Sequence, residues 1–525
     1  MRNHPKSIFV LAVITTFVAA GLVMTTPARA NNIQVANVVP VDQDTNADVI
    51  NIQFDLSWDN SWRVSPAQAP SNWDAAWVFA KWKAEGATEW KHCTLSTADL
   101  DHTAPAGSEI DASFSKDNDG KGVFIYRDSE GSGSNNWDGV KLLWNYGTDG
   151  MGDNDVIEIR VFAIEMVYIP QGSFYLGDGS SVGTFRQTGS NTPVQISASP
   201  VVVKCEDTSN DDSQLEGEGI LVDGDGGIDK DGTTAVDNPD YPTGYWAFYC
   251  MKYEISQGQY ADFLNTLDRI QQNTRTETDV STDVIANVYV MSDTSVVSQR
   301  NTISCPASGN GTTDPIVFTA GVPDRACNWM SYADGAAYTD WAGLRPMTEL
   351  EFEKACRGPQ SAVAGEYAWG NANIAGSGYT LANDGQPNES IATNYATDPA
   401  GNASYDMTGG SINGPLRCGI FATGSSSRAE AGAGYYGVME MSGNVYERPI
   451  NLGTTNGRAF TGAHGDGVLE DGNADVSNWP WLSGYKGGGW SYTLSLLTIS
   501  DRNYASSTTA SSRYYTFGFR AVRTP

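Results

Sequence analysis

Gly437-Val-Met-Glu-Met-Ser-Gly-Asn-Val-Tyr-Glu447 sets two carboxylates, an Asn and a Gly turn within eleven residues. Oxygen donors packed around a tight turn suit a hard cation better than they suit an apolar strand. Two further blocks complete this end of the chain. Lys486-Gly-Gly-Gly-Trp490 reads as a glycine-rich strand entry, and Gly518-Phe-Arg-Ala-Val-Arg523 closes the sequence.

Working outward, more blocks stand apart from their surroundings. They are Pro170-Gln-Gly-Ser-Phe-Tyr-Leu-Gly177, Glu254-Ile-Ser-Gln-Gly-Gln-Tyr260, Cys327-Asn-Trp329, Leu344-Arg-Pro-Met-Thr-Glu349 and Phe352-Glu-Lys-Ala-Cys-Arg-Gly358. Together with the opening stretch they resemble the formylglycine-generating enzyme family, the sulfatase-modifying factor domains, over roughly Ile164 to Arg523. The resemblance implies an α+β, C-type-lectin-like domain with few helices and much irregular structure. It also implies a structural calcium. Glu440 and Glu447 would offer side chains to it, and Gly443 and Val445 their carbonyls. The family often carries Asn where this chain has Glu440, and a carboxylate is an equally good ligand. A second family calcium site resembles Ala382-Asn383, with Asn383 and the carbonyl of Asp384 as candidate ligands. The plain alternative is an Asn-Gly turn whose acids face solvent.

The activity the resemblance implies is oxidation of a protein cysteine at copper held by two thiolates. Cu(I) needs such soft ligands. Counting onward from Gly487-Gly-Gly-Trp490 puts Tyr492 and Leu497 at the two positions, and no Cys follows Cys418. Calcium rather than copper is therefore the expected metal. A related iron-dependent branch needs several His ligands, whereas the chain has only His4, His92, His102 and His464. Gly179-Ser-Ser-Val-Gly183 matches a nucleophile elbow by letters alone, without the strand-to-helix context. No catalytic residue is assigned.

Capping boxes mark helix starts. Ser256 with Gln259 opens a helix from Gln257 to Leu267, and Thr348 with Glu351 opens one ending near Gly358. A third runs from Ser331 to Ala342. Residues 31–163 read as a β-sandwich. Ile50, Ile52, Phe54, Leu56 and Trp58 alternate with polar residues, the period of a half-buried strand. Similar runs recur at Trp77–Trp82, Gly122–Tyr126, Val140–Trp144 and Val156–Phe162. The Trp residues here are core or sugar-stacking platforms. No flexible linker separates this region from the 164–525 domain. Residues 178–240 read as an acidic insertion, in which Val222-Asp-Gly-Asp-Gly-Gly-Ile-Asp-Lys-Asp-Gly232 is a solvated loop or, failing that, a calcium loop.

From Ala368 to Tyr436 no element is convincing, so the binding face is expected around that stretch and the chain's end. Trp490, Tyr492, Arg502, Tyr504 and Arg513 are the candidate ligand contacts. Leu494, Leu496, Leu497 and Ile499 read as a packed strand. For Arg502 and Arg520 the first reading is a buried ion pair closing the fold, and a ligand contact is the alternative.

Arg2 and Lys6, an apolar run from Ser7 to Met24 and Ala28-Arg-Ala30 form a signal peptide cleaved near Ala30. The protein is expected outside the cell, at its surface or in the periplasm. Among 7 Cys some are expected to pair. A net charge of −30 speaks against nucleic acid or anionic membrane as partner. The reading is a non-catalytic, calcium-stabilised binding or surface protein with an extracellular protein or glycan ligand. The alternatives are a cysteine oxidase and a self-assembling structural component.

Overall fold

The computed structural model describes residues 32–525 apart from 65–66, 115, 180–183, 186–191, 198–200, 206–218, 224–226, 230–237, 282–283, 310, 312–313, 411, 453–454, 482 and 506–511. The leader, the nucleophile-elbow look-alike and much of the acidic run at 222–232 lie outside the described residues.

The architecture is α+β, with sheet predominating. Four strands, β1 (Gln34–Asp44), β2 (Val49–Arg63), β3 (Asp74–Ala84) and β4 (Lys91–His92), lead into β5 (Ser108–Asp111), β6 (Val123–Arg127), β7 (Gly131–Trp144) and β8 (Ile157–Ile169). β1, β2 and β7 form one antiparallel sheet. The main sheet runs in the order Arg345–Pro346, Ala521–Arg523, Phe248–Met251, β8, β3, β6, β5, with β4 also on β3. Ile164, the expected domain boundary, lies inside β8. That strand pairs with β3 from Ile157 to Val167 and with Phe248–Met251 from Met166 to Ile169. One sheet therefore carries residues from both sides of the boundary.

The sequence of β3 explains its place. Asp74-Ala-Ala-Trp-Val-Phe-Ala-Lys-Trp82 is almost continuously apolar, and the strand is buried on both faces. Ala76, Val78, Ala80 and Trp82 meet Ile52, Phe54, Leu56 and Trp58 of β2 in the sandwich core. Ala75, Trp77 and Phe79 point the other way, into a second core with Tyr260, Phe263 and Trp341. Trp58, Trp77, Trp137 and Trp144 are core residues, whereas Trp62 is only half-buried.

The helices α1 (Gln257–Leu264), α2 (Arg269–Arg275), α3 (Tyr332–Trp341) and α4 (Glu349–Arg357) each begin at a complete capping box. The expected helix to Leu267 ends at Leu264, and Asp268 caps a new one. All nine residues of α4 are buried. Glu349, Glu351 and Glu353 there meet Arg502, Arg345 and Arg357.

Two expectations are corrected. Cys93, Cys250, Cys305, Cys327, Cys356 and Cys418 are buried free thiols, so no disulfide forms among the described cysteines. They sit at apolar core positions, where Cys behaves as a small hydrophobe. The segment expected as a strand at Leu494–Ile499 is instead a 3-10 turn at Leu494–Leu497, with Leu497 buried and Leu494 exposed. No helix among the described residues is long and apolar enough to cross a membrane.

Candidate functional site

The Glu440–Glu447 turn is built from left-handed backbone. Glu440 has φ 54°, Gly443 97° and Asn444 63°. Asn tolerates this region and Gly adopts it freely, but Glu does so only under strain. A Cβ at Gly443 would lie 2.5 Å from the carbonyl oxygen of Ser404, so only glycine fits there.

Glu254, just before α1, clamps this turn across 190 residues of sequence. Its carboxylate accepts the Val445 N–H at 3.0 Å and the Asn444 amide at 2.5 Å. Asn444 Oδ1 in turn accepts the Leu416 N–H at 2.8 Å. Glu440 Oε1 accepts the Gly419 N–H at 2.7 Å, while its Oε2 is buried without a partner. Glu447 Oε1 receives two bonds from Arg520, at 3.2 and 3.0 Å, and its Oε2 is likewise buried and unpartnered. A Cβ on Gly487 would come within 2.6 Å of that free oxygen, so the glycine run keeps the space beside it open. Among the described residues no hydrogen bond is donated to the carbonyls of Gly443 and Val445.

The electrostatics are strained. Burial pushes Glu440 and Glu447 up to about 7, against the pull of Arg520. Glu254 is raised well above the carboxylate range by burial and then by Glu447 and Glu440. Three buried carboxylates thus crowd around Arg520, with Arg417 adding a weaker pull on Glu440, an arrangement that costs free energy unless another cation joins it. The donor set of carboxylates and free carbonyls fits a hard divalent ion.

Val445 and Glu447 face this interior, and Tyr446 between them points the opposite way. It joins a tyrosine cluster, 4.9 Å from Tyr492, 5.5 Å from Tyr485 and 6.2 Å from Tyr504 between ring centroids. Phe517 stacks on Tyr485 at 4.7 Å, and the more exposed Tyr514 lies 5.4 Å from Phe517. Tyr492 and Tyr504 are half-buried members of this face.

The other expected contacts are committed inside the protein. Trp490 is buried and donates to the Tyr515 carbonyl at 3.0 Å. Arg502 forms a two-point pair with Glu349 at 2.7 and 2.9 Å. Arg513 does the same with Asp334, at 2.7 Å for both bonds. Each of the three is engaged with a partner inside the fold; Trp490 and Arg502 are buried and Arg513 is half-buried. Asn383 is exposed, with φ 53°. The Asp384 carboxylate lies 3.0 Å from Arg300 and 3.2 Å from Arg325, so two positive charges border the second expected calcium site.

Sequence reading missed two features. Glu254 was visible only as part of a conspicuous block, because nothing local ties it to residue 445. Asp340, Asp466 and Asp475 bring one oxygen each within 4.8 Å of one another. Asp340 accepts the backbone N–H groups of Asp466 and Asp475, at 3.0 and 3.2 Å, which pins that loop to the end of α3. No spacing motif announces it.

A search among curated proteins finds no match for the chain. The model of the sulfatase-modifying factor enzyme 1-like domain matches residues 160–525, the span that carries the clamped turn, the tyrosine face and the buried ion pairs, and the chain belongs to that family.

Proposed function

We propose that the chain is an exported, non-catalytic binding or surface member of its family, stabilised by calcium at the Glu440–Glu447 turn. The observation that carries this reading is the pair of buried carboxylates at Glu440 and Glu447, each with one oxygen lacking a partner. Calcium would be held by these side chains with the carbonyls of Gly443 and Val445. When bound, it supplies the positive charge that Arg520 alone does not. Glu254 holds the turn by its backbone and side-chain amides, and Gly487 leaves the space open. Tyr492, Tyr504 and Tyr514, the members of the tyrosine cluster that reach solvent, are the surface offered to an extracellular protein or glycan. Tyrosine gives large contact area at low entropic cost.

The oxidase reading needs two thiolates near the chain's end. Tyr492 and Leu497 occupy the counted positions, one in the tyrosine cluster and the other buried. Burial raises the thiol pKa of Cys93, Cys250, Cys305, Cys327, Cys356 and Cys418, to about 12 at Cys250 and about 11 at Cys305. Without a metal such thiols stay protonated, as buried structural cysteines do.

The test is metal content and melting temperature of the purified protein before and after chelation. Bound calcium, with a melting temperature that falls on chelation and is restored by calcium but not copper, supports the proposal. Glu440→Gln should abolish the calcium response. Stoichiometric copper with oxygen uptake on a cysteine-containing peptide would overturn it, as would a melting temperature indifferent to calcium.

A further inference from the structure

A cleft of about 360 Å³ opens between the end of β2 and the irregular segment from Ala422 to Met439, away from the tyrosine face. Its size lies at the small end of the roughly 300–1,000 Å³ range of ligand pockets. No Asp or Glu lines it, although the chain carries 62 acidic residues against 32 basic ones. Two cations do line it, Lys252 and Arg428.

These two differ in what they already hold. The Lys252 ammonium is 2.9 Å from Glu165 and 3.3 Å from Asp74, so its charge is matched. It sits 4.8 Å from the centre of the Trp62 ring and fixes that ring in place. Arg428 is held by neutral groups. Its Nη2 donates to the carbonyls of Cys356 at 2.8 Å and Ala368 at 2.7 Å, and its Nε to Ala433 at 3.3 Å. Among the described residues no carboxylate stands within ion-pair distance of it. The contrast is with Arg345, Arg357, Arg502, Arg513 and Arg520, each of which holds an acid. Arg428 is thus a positioned guanidinium that feels Glu366 only from beyond ion-pair distance, and Glu366 is already paired with Arg357. A carboxylate is its natural complement, through charge-assisted hydrogen bonds.

The rest of the lining says what carries that carboxylate. Trp62 is half-buried, and a Cβ on Gly437 (φ 92°) would lie 2.9 Å from its ring, so glycine lets the backbone close against the indole without covering it further. Tyr435, over which Arg428 lies at 5.5 Å, adds a second half-buried ring. Asn60 supplies an amide and Thr423 a hydroxyl, whereas the Ser426 hydroxyl is tied to Thr423, accepting its N–H at 2.9 Å and donating to its carbonyl at 3.1 Å. Aromatic rings facing hydroxyl-matching groups, with one guanidinium, suit a pyranose whose C–H face stacks on an indole. We propose that this cleft binds a carboxylate-bearing sugar of the uronic-acid class, with the carboxylate on Arg428 and the ring against Trp62. The cleft shares no lining residue with the tyrosine cluster, while its wall at Tyr253, Gly437 and Met439 adjoins the Glu440–Glu447 turn.

The test is titration of the full protein with glucuronic acid, with glucose and acetate as separate probes, followed by saturation-transfer NMR and calorimetry. Glucuronic acid should bind saturably, with glucose and acetate each at least about tenfold weaker, a difference of about 1.4 kcal/mol. Arg428→Gln and Trp62→Leu should each weaken binding by about tenfold or more. Gly424→Asp guards against misfolding, because a Cβ at Gly424 on the cleft wall meets nothing within 4 Å. That variant should melt like the parent and repel the anion, while Gly424→Asn should bind normally. Absence of saturable binding would overturn the proposal. So would equal binding of glucose or acetate, or indifference to Gly424→Asp.

Discussion

The two ends of the molecule solve the same problem in different ways. In the β1–β2–β7 sheet and its partner β3, backbone groups satisfy one another along regular ladders, and the core between them is apolar. Around residues 366–447 and 486–523 long ladders are absent among the described residues, and side chains take over that work. Arg520 donates to the carbonyls of Met251 and Met439, Glu254 accepts from Val445, and Asn402 donates to Ala396 and Glu430. Buried backbone polar groups must be paired. An irregular chain therefore needs buried polar and charged residues where a sheet needs only apolar ones. The lesson is that the C-terminal region is held by buried polar and charged side chains, and its weak points are single partners.

The sharpest way to break that contrast is Arg520→Leu. It would leave Glu447, Glu440 and Glu254 buried without their guanidinium. Removing one partner of a buried pair costs about 3–5 kcal/mol, a large part of a typical domain's stability. Urea unfolding in the presence of calcium should show the loss. Part of it should return in an Arg520→Leu, Glu447→Gln double variant, since the orphaned charge is then removed as well. A double variant no more stable than the single one would show that Arg520 acts by packing alone.

The matching experiment in the sheet region is Leu56→Ala. Leu56 is buried against β3, and such truncations cost about 2–5 kcal/mol through lost burial and a residual cavity. Here the loss should not change with calcium or with pH between 5 and 9, because no charge is involved. A calcium-dependent loss would mean that the two regions do not answer to separate causes.

How much of this was legible follows the same division. Alternation at Ile50–Trp58 gave β2 its inward face, and the boxes at Ser256 and Thr348 placed two helix starts to the residue. Local chemistry decides those features. The acidic turn was readable as a dense cluster of oxygen donors, but its clamp was not, because Glu254 meets Val445 only after the whole chain has folded. Arg502 was readable as one half of a buried ion pair, but its partner Glu349 on α4 was not, and Arg513 meets Asp334 on α3 just as unannounced. Leu494–Ile499 looked like a strand because apolar density was read without a partner strand to receive it. The cysteines looked like candidates for bridging because compartment was weighed before burial.

A charge without an acid to match it offers a finer test. Lys354 on α4 is fully buried and donates to the carbonyls of Tyr245 at 3.0 Å and Trp246 at 3.4 Å. Burial pulls its ammonium down to about 7, against some support from Glu351. The folded value lies below the unfolded one of 10.5. Between them the unfolded chain binds the extra proton, so this group makes stability rise with pH from about 7 towards 10, by at most about 1.4 kcal/mol per unit. Comparing wild type with Lys354→Met at pH 7, 8.5 and 9.5 isolates it. The wild type should gain on the variant as pH rises. Parallel pH profiles would mean that Lys354 keeps an ordinary ammonium in the fold.

The smallest effect asks whether a local signal still matters inside a charge-held region. Thr348 caps α4, with its hydroxyl accepting the Glu351 N–H at 3.2 Å while Glu351 accepts the Thr348 N–H at 3.0 Å. The hydroxyl also donates to the Pro242 carbonyl at 2.9 Å. A lost cap alone costs about 1 kcal/mol. Thr348→Ala should cost about that if the helix is anchored mainly by its three glutamates. If the cap instead sets the register in which Glu349, Glu351 and Glu353 meet their arginines, the loss should approach that of Arg520→Leu. The Ser256→Ala variant of α1, a helix packed through Tyr260, Phe263 and Leu264, is the control. Its cost should stay near 1 kcal/mol in either case. Equal losses at the two caps would place the strength of the C-terminal region in the ion pairs themselves.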